Sequence, residues 1–499
     1  RRREIGVRKV VGSTKTQLTI QLLVESFVIN MLSLLLAFLI YRLSIPLIES
    51  VFNIAWPSGP DTFLSGKFLL FIGLVMSLGI ILSALYPAFI LSSLKPAAVL
   101  NGKGQVMGGY VGFNLRKSLI VLQFVVCTVF CIGTFVLYRQ LRFMKEHDLG
   151  MDVDQVLVVK GYGFQPVQVY ENFRNLASRE SVVHSVGFSS AAPGEEIIAL
   201  SLKPKVSLAG RSSEPKEVKM IAVDENYLRT LKIRFISGRG FDRSVLTDSK
   251  SVIINEAAAR LLGFNEPRDA LNESLVGLDK DPLPVIGVIR NYHQRSLKVG
   301  YEPIVFLPAW TNDFGWNKRF LFVRLNPAFT VDERRHQITQ VETIWKKVSP
   351  DKPFQYFFLD SHFDRQYKAD STFTSLFIFF SVSAILIACL GVFGLVAYTM
   401  LKRTKEIGVR KVLGASVQSI MILISGDFAR LIIIASLIAV PLILLVLRDW
   451  LDQYAFRIDI HYGLFLIPLA FIFVLAMTTV LCKSLKVASS NPVDSLRHE

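Results

Sequence analysis

Six stretches of this chain, at about residues 18–40, 68–92, 118–138, 373–400, 419–447 and 463–482, each run for twenty residues or more with almost no charge. A helix rises about 1.5 Å per residue, so about 20 apolar residues cross the ~30 Å hydrocarbon core of a bilayer. Lipid offers no partner for backbone N–H and C=O groups, so segments like these cross it as helices. The expected fold class is a multi-span α-helical membrane protein with six predicted transmembrane helices. Composition points the same way. Hydrophobic residues make up 51% of the chain and charged residues 19%, against roughly 25% charged in soluble domains, which excludes a disordered or nucleic-acid-tail protein.

Between Arg139 and Thr372 the pattern changes. Alternating runs such as Gln155–Lys160 and Pro284–Ile289 read as strands and Val167–Ser178 reads as a helix, so this stretch is a large α/β domain outside the bilayer. Its side follows from Lys and Arg in the short loops, which are enriched on the cytoplasmic face. One side carries 18 of them, with clusters at Arg1–Arg3, Arg8–Lys9, Arg116–Lys117, Lys402–Lys405 and Arg410–Lys411; the other side's short loops hold only Arg42, Lys67, Arg448 and Arg457. The first side is cytoplasmic, and the parity of six spans puts residues 139–372 outside. The formal charge of +16 is then topological, and no nucleic-acid partner is expected. Cys127, Cys131, Cys389 and Cys482 all lie in or at the end of apolar runs, where packing rather than a disulfide or zinc site is expected.

A repeat gives the chain its internal organisation. Glu4-Ile5-Gly6-Val7-Arg8-Lys9-Val10-Val11-Gly12 returns as Glu406-Ile407-Gly408-Val409-Arg410-Lys411-Val412-Leu413-Gly414, with eight of nine positions identical. Each copy precedes a span whose first half holds an acid, Glu25 or Asp427, at the same offset of 402, and each is followed by a further span and a Pro-containing exit, Lys95–Leu100 or Asn491–Leu496. The chain therefore holds two copies of one membrane module. The repeated segment is expected to form a short amphipathic helix at the inner surface. Ile5, Val7 and their counterparts would supply apolar contacts, Glu4, Arg8 and Lys9 would stay in water, and Gly6 and Gly12 would allow close approach or a helix stop. Membrane lipid headgroups could satisfy such a helix, but two near-identical copies fit better with two equivalent docking sites on a symmetric partner. Glu25, Asp427 and Arg430 are ionisable groups inside spans, where charge is costly. Asp427 and Arg430 are spaced to pair at i,i+3, and a structural or coupling role is favoured over an ion pathway.

Lys405–Ala415, with Glu4–Gly12 matching again, resembles the cytoplasmic coupling segment of FtsX-like permeases of type VII, MacB-like ABC transporters. Val223–Leu228, Gly238–Phe241, Asn255–Ala258 and Ile286–Val288 resemble the MacB-like periplasmic core domain, and the resemblance covers essentially the whole chain. It implies a first membrane module over residues 1–110, with its coupling segment at 1–16, and a transmembrane helix over 111–143 leading outward. A MacB-like periplasmic α/β domain follows over 144–371, then a second module over 372–499. It also implies a bacterial inner-membrane location, with 144–371 in the periplasm, and a cytoplasmic ABC ATPase dimer docked on Glu4, Ile5, Gly6, Val7, Arg8, Lys9 and Gly12 and on Glu406, Ile407, Gly408, Val409, Arg410, Lys411 and Gly414. ATP and Mg would be bound by that partner. In the fused two-module form two further spans flank a first periplasmic domain, so a chain that opens at Arg1 inside the motif is expected to be N-terminally truncated. The modules also differ locally, with Tyr86-Pro87-Ala88 in one and Cys482-Lys483-Ser484 in the other.

Several chemistries lack their signatures. No GxxxxGK[ST] phosphate loop occurs, and Gly66-Lys67 and Gly102-Lys103 do not have its spacing, so ATP hydrolysis is expected in a separate subunit. There is no HExxH and no GxSxG, and the seven histidines have no metal-ligand spacing; no catalytic, cofactor or metal residue is assigned. The expected function is that of a permease subunit that transmits nucleotide-driven movement to its periplasmic domain, for export or extraction of an envelope substrate, as in efflux. The alternative is a cargo-free regulatory or signalling complex that controls a cell-wall hydrolase or senses a peptide. A periplasmic adaptor, hydrolase or peptide is accordingly a further candidate partner.

Overall fold

Apolar sequence on every face of a helix suits lipid rather than water, and six of the eight long helices among the described residues, all but Val167–Ala177 and Val331–Val348, are of that kind. The computed structural model describes residues 13–52, 65–92, 108–161, 167–204, 214–277, 281–310 and 320–488. Its long helices are α1 Lys15–Phe52, α2 Gly66–Ser92, α3 Gly108–Glu146, α4 Val167–Ala177, α5 Val331–Val348, α6 Lys368–Val412, α7 Val417–Leu451 and α8 Gly463–Ala488. Five segments are long and apolar enough to cross a membrane: Thr19–Ser50, Lys117–Glu146, Lys368–Leu401, Val417–Leu451 and Gly463–Leu485. Within α2 the described apolar stretch, Gly66–Ile81, is shorter. Among the described residues, then, the six expected spans comprise five of full length and one shorter apolar helix. Pro46, Pro441 and Pro468 lie inside helices, which membrane helices tolerate.

The chain divides into two units. The membrane unit is Arg1–Thr134 with Ser375–Leu442 and Gly463–Glu499; the outer unit is Phe135–Thr374 with Ile443–Tyr462. In the membrane unit, buried residues recur every fourth position: Phe124 and Thr128 on α3, Ala388, Val392 and Val396 on α6, Ile420, Ile424, Phe428 and Ile432 on α7, and Ile472, Ala476 and Val480 on α8. Rows of this spacing are the ridges by which helices interlock. Small residues bring the helices close where lipid supplies no hydrophobic drive. Cys127 and Cys131 are buried in this core with free thiols. Thr134 and Ser381 share a hydrogen bond of 2.7 Å between α3 and α6. A few turns away, the Gln123 side chain fills the notch left by Gly391, where an added Cβ would collide with Gln123 Oε1.

In the outer unit the strands are β1 Val156–Lys160, β2 Val183–Ser189, β3 Ala199–Pro204, β4 Lys216–Val223, β5 Phe235–Gly238, β6 Val252–Asn255, β7 Ser274–Val276, β8 Pro282–Ile289, β9 Ile304–Pro308, β10 Phe320–Leu325 and β11 Tyr356–Phe358. β1-α4-β2 and β10-α5-β11 are two β-α-β arms whose strands lie in the order β11-β1-β10-β2, all antiparallel, with Val158 opposite both Phe322 and Phe357. This is a split β-α-β sheet. Everything from β3 to β9 is inserted between the two arms. The insert closes on itself as β4-β3-β7-β8-β6-β9, with β9 returning in parallel to β4, for example Ala222 opposite Leu307, and β5 attached to β8.

Both faces of the split sheet are covered, which is why β10 reads Phe-Leu-Phe-Val-Arg-Leu and is buried throughout. Tyr170, Phe173, Val341 and Trp345 from α4 and α5 pack on one face, against Leu157, Val159, Phe188 and Leu321. Val156, Val158, Phe320 and Phe322 face a second cluster built on Tyr227, Leu228 and Phe306. Gly187 permits that packing, because a Cβ there would meet the Tyr227 backbone at 2.7 Å. Two buried polar side chains hold loops to the sheet. Asp224 accepts from the backbone N–H groups of Phe188, Tyr227 and Asn226 at 3.0, 2.8 and 3.3 Å. Arg324 donates to the carbonyls of Thr230, Asp152 and Asp154 at 2.7, 2.7 and 3.1 Å. Burial pushes the Asp224 carboxyl up to about 7, with Glu225 adding repulsion, against the backbone donors and Arg174 that favour its charged form.

Candidate coupling site

The second repeat, Glu406–Gly414, is part of α6. A separate short surface helix was expected. The segment instead continues the spanning helix, which extends unbroken to Val412, because no proline lies between Tyr398 and Gly414 and the one glycine between them, Gly408, costs only about 1 kcal/mol. At 45 residues, α6 is about 68 Å long, more than twice the hydrocarbon thickness, and so must leave the bilayer. Its end has a defined stop. Gly414 takes φ +90°, a conformation open to glycine at little cost, and the Ala415 N–H donates to the Arg410 carbonyl at 2.9 Å, the wide bond of a Schellman cap. Ser416 then starts α7, its Oγ accepting from the Ser419 N–H at 3.2 Å. The outcome is a helix, a tight glycine turn and a second helix.

Val396 and Met400 of α6 and Ile420, Ile424 and Phe428 of α7 lie in one core. Arg403 and Asp427 pair across the two helices at 3.2 Å. Asp427 thus finds its partner 24 positions back in the sequence rather than at Arg430. Arg430 is exposed and makes no ion pair among the described residues. Glu25 lies part-buried within α1. Beyond Arg403 the surface changes character: Glu406 and Arg410 form an i,i+4 pair at 2.8 Å with both side chains about half exposed, while Val409 and Leu413 are 52% and 80% exposed. Val409 is therefore only about half covered within this chain. Ile407, Gly408 and Lys411 lie on the same helix. An exposed helix end with two apolar side chains beside a charged pair offers a docking surface and no acid–base or nucleophilic chemistry. Among the described residues no cluster of three or more His, Cys, Asp or Glu side chains is placed to hold a metal ion.

Glu4, Ile5, Gly6, Val7, Arg8, Lys9 and Gly12 of the first repeat lie outside the described residues. The helix that follows them is described. Thr14 caps α1, its Oγ accepting from the Gln17 N–H at 3.3 Å while Gln17 Oε1 accepts from the Thr14 N–H at 3.0 Å, a reciprocal capping box. Adding the offset of 402, Thr14 corresponds to Ser416 and Gln17 to Ser419, so the two modules start their helices at equivalent residues, each with a hydroxyl N-cap, which is reciprocated only in the first. The Thr-x-x-Gln pattern is a sequence signal for that start. For Arg403 the only sequence signal was its place in the Lys/Arg cluster.

The FtsX-like permease C-terminal family model matches residues 1–96 and 378–492, and the MacB-like periplasmic core domain model matches residues 118–341. The chain belongs to the FtsX-like, MacB-like permeases. Between them the two models take in most of the permease, and the FtsX-like one takes in both repeats. Among solved structures it is similar to the extracellular domain of the noncanonic ABC-type transporter YknZ from Gram-positive bacteria, with 15% identity over 40% of this chain and 99% of that one and a TM-score of 0.28. It is also similar to a domain of a putative permease protein from Porphyromonas gingivalis, with 14% identity over 41% of this chain and 91% of that one and a TM-score of 0.28. No curated protein matches the chain. By family, the permease is the membrane component of an ABC transporter, a membrane protein with a periplasmic or extracellular domain, and not itself an ATPase.

Proposed function

We propose that the permease couples ATP hydrolysis by a separate cytoplasmic ATPase dimer, which binds the ATP and Mg, to movement of its outer domain. It would do so in the bacterial inner membrane, with the outer domain in the periplasm, to export or extract an envelope substrate. An adaptor, hydrolase or peptide would engage that domain. The observation that carries this reading is α6. One helix joins Lys368–Thr374, which belong to the outer unit, to the exposed charged end at Glu406–Leu413. A continuous helix is stiff, so displacement at its docked end reaches the other end without a change of fold.

The membrane unit supports the same reading. Its spans hold few ionisable groups, and Asp427 is already paired with Arg403, so little is left to line a hydrophilic passage at mid-membrane. The test is co-purification of the intact permease with its ATPase, comparing wild type with a Gly408→Trp, Arg410→Glu double variant. Wild type binds, and the variant inserts normally but does not bind. In the intact complex ATP and Mg then change the conformation of the outer domain. A wild-type complex that hydrolyses ATP with a static outer domain would sink the proposal.

A further inference from the structure

The loop between α7 and α8 belongs to the outer unit, and the side chains that hold it there are unusual for a connection between two spans. Gln140, near the end of α3, is fully buried. Its Nε2 donates to the Phe456 carbonyl at 3.0 Å and its Oε1 accepts from the Ile458 N–H at 2.9 Å, so one amide grips the loop backbone in both directions. On the loop's other side the Ala455 and Phe456 N–H groups donate to the carbonyls of Lys298 and Leu297, each at 3.1 Å. These two residues lie in the connection from β8 to β9, so main-chain bonds tie one loop of the outer unit to the other.

A second set of contacts reaches the first turn of α6. Asp370 Oδ1 accepts from the Tyr454 hydroxyl and from Lys298 Nζ, each at 2.8 Å, at a helix N-terminus that favours a carboxylate. The Lys298 ammonium also lies 5.3 Å from the centre of the Tyr454 ring. Phe456 is seated in a pocket of rings, 4.6 Å from His293, 5.0 Å from Tyr301 and 5.6 Å from His147. Three segments of the chain, the end of α3, the start of α6 and the α7–α8 loop, are thus joined at one place in the outer unit. A loop that served only to return the chain to the membrane would need none of these buried polar contacts.

The coupling turn at Gly414 lies between α6 and α7. The far end of α6 begins at Lys368 in the outer unit, and the far end of α7 runs into this loop. We infer that the loop is a latch, with Gln140, Lys298 and Asp370 as its positioning residues, which makes α7 a second strut so that both arms of the coupling hairpin drive the same outer body. The inference rests on the reading of the permease as a transmitter of ATPase movement.

The test uses the intact permease with its ATPase in nanodiscs, as wild type, Gln140→Ala and the milder Tyr454→Phe. Amide exchange at 455–458 reads the latch directly. Loss of both Gln140 hydrogen bonds is expected to speed it about tenfold or more in Gln140→Ala. The distance between labels on the outer domain and on α8, with and without MgATP, reads transmission. Both variants are expected to hydrolyse ATP and bind the ATPase as wild type does while losing most of the ATP-driven outer displacement. Tyr454→Phe, which removes one hydroxyl, shows that the loss is not a failure to fold. Faster exchange with undiminished displacement overturns the inference, and so does equal exchange in wild type and Gln140→Ala. A wild-type complex with protected 455–458 amides and no ATP-driven displacement overturns the transmission reading instead, and with it the latch's role as a strut.

Discussion

The two units of the permease answer the same physical demand in opposite ways. In the outer unit the hydrophobic effect drives collapse, and buried polar hubs such as Asp224 and Arg324 then fix which loops meet which strands. In the membrane unit burial of apolar surface gains little, since lipid is as apolar as the helix core, and contact depends on shape. There the Gln123 side chain in the Gly391 notch and the rows at every fourth residue do the fixing. The outer unit should therefore be sensitive to lost hydrogen-bond acceptors, and the membrane unit to added volume.

The largest effect is expected at Asp224. Replacing it with alanine leaves three backbone N–H groups without an acceptor, at about 1–3 kcal/mol for each buried group left unpaired, partly shared as the loop relaxes. An overall loss of about 3 kcal/mol corresponds to roughly 6–12 °C in the melting temperature of a domain this size. Asp224→Asn keeps a carbonyl oxygen and should lose clearly less. Scanning fluorimetry of the intact protein reads both. Equal and small losses would mean that the hub is replaceable and would break the contrast.

Next comes volume in the membrane unit. Gly391→Leu forces a side chain into the space of Gln123 and should cost about 1–3 kcal/mol, the usual range for overpacking. Gly391→Ala should cost less, because the atom it meets is the tip of a flexible chain. Gln123→Ala combined with Gly391→Leu should recover part of the loss. The check is detergent-resistance melting of the two single variants and the double. If Gln123→Ala gives no relief, the notch is not where the two helices lock.

The same division explains what could be read from sequence alone. Spanning helices are legible because twenty apolar residues have few other uses, and the two modules because eight of nine residues repeat at a fixed offset. The strands at Gln155–Lys160 and Pro284–Ile289 are legible from alternation and lie in β1 and β8. The run of α6 into the repeat was not, since Lys402–Lys405 looks like the end of a span when only hydropathy is followed. The partner of Asp427 was not legible either. Arg430 is the near neighbour, but the helix turn at Gly414 brings Arg403 alongside, and that is a tertiary fact. Gln140 reads as an ordinary polar residue past the end of a span, and only the folded loop shows that its amide is fully engaged.

A smaller effect is expected for the Arg403–Asp427 pair, whose side chains are each about a third exposed. Partly exposed ion pairs are worth up to about 1 kcal/mol, so Arg403→Ala and Asp427→Ala should each lower stability by about that much. Each leaves a lone charge behind, so the double variant should fall short of the sum of the two. Strict additivity in a thermal double-mutant cycle would mean that the pair does not hold α6 to α7.

The smallest effect near neutrality is a difference in acid response between the units. Every histidine among the described residues lies in the outer unit, and His293 is its most deeply buried. Burial holds the His293 imidazole down from the usual 6.5 to about 4, His147 beside it pushes the same way, and Asp148 pulls weakly upward. Burial, with Arg365 and Lys160, lowers His362 too. A histidine whose folded pKa is depressed leaves the unfolded chain binding more protons below 6.5, so its stabilising contribution is full above that pH and declines as the pH falls towards about 4. Between pH 7 and 6 the change is slight. Between pH 6 and 4 amide exchange should rise first around His293–Tyr301 and the Phe456 loop while the cores of α6, α7 and α8 keep their protection. His293→Phe, which matches the surrounding rings and cannot charge, should flatten most of that slope, with His362 accounting for what remains. An acid response that begins in the helices, or one unchanged in His293→Phe, would place the pH-sensitive element outside this cluster.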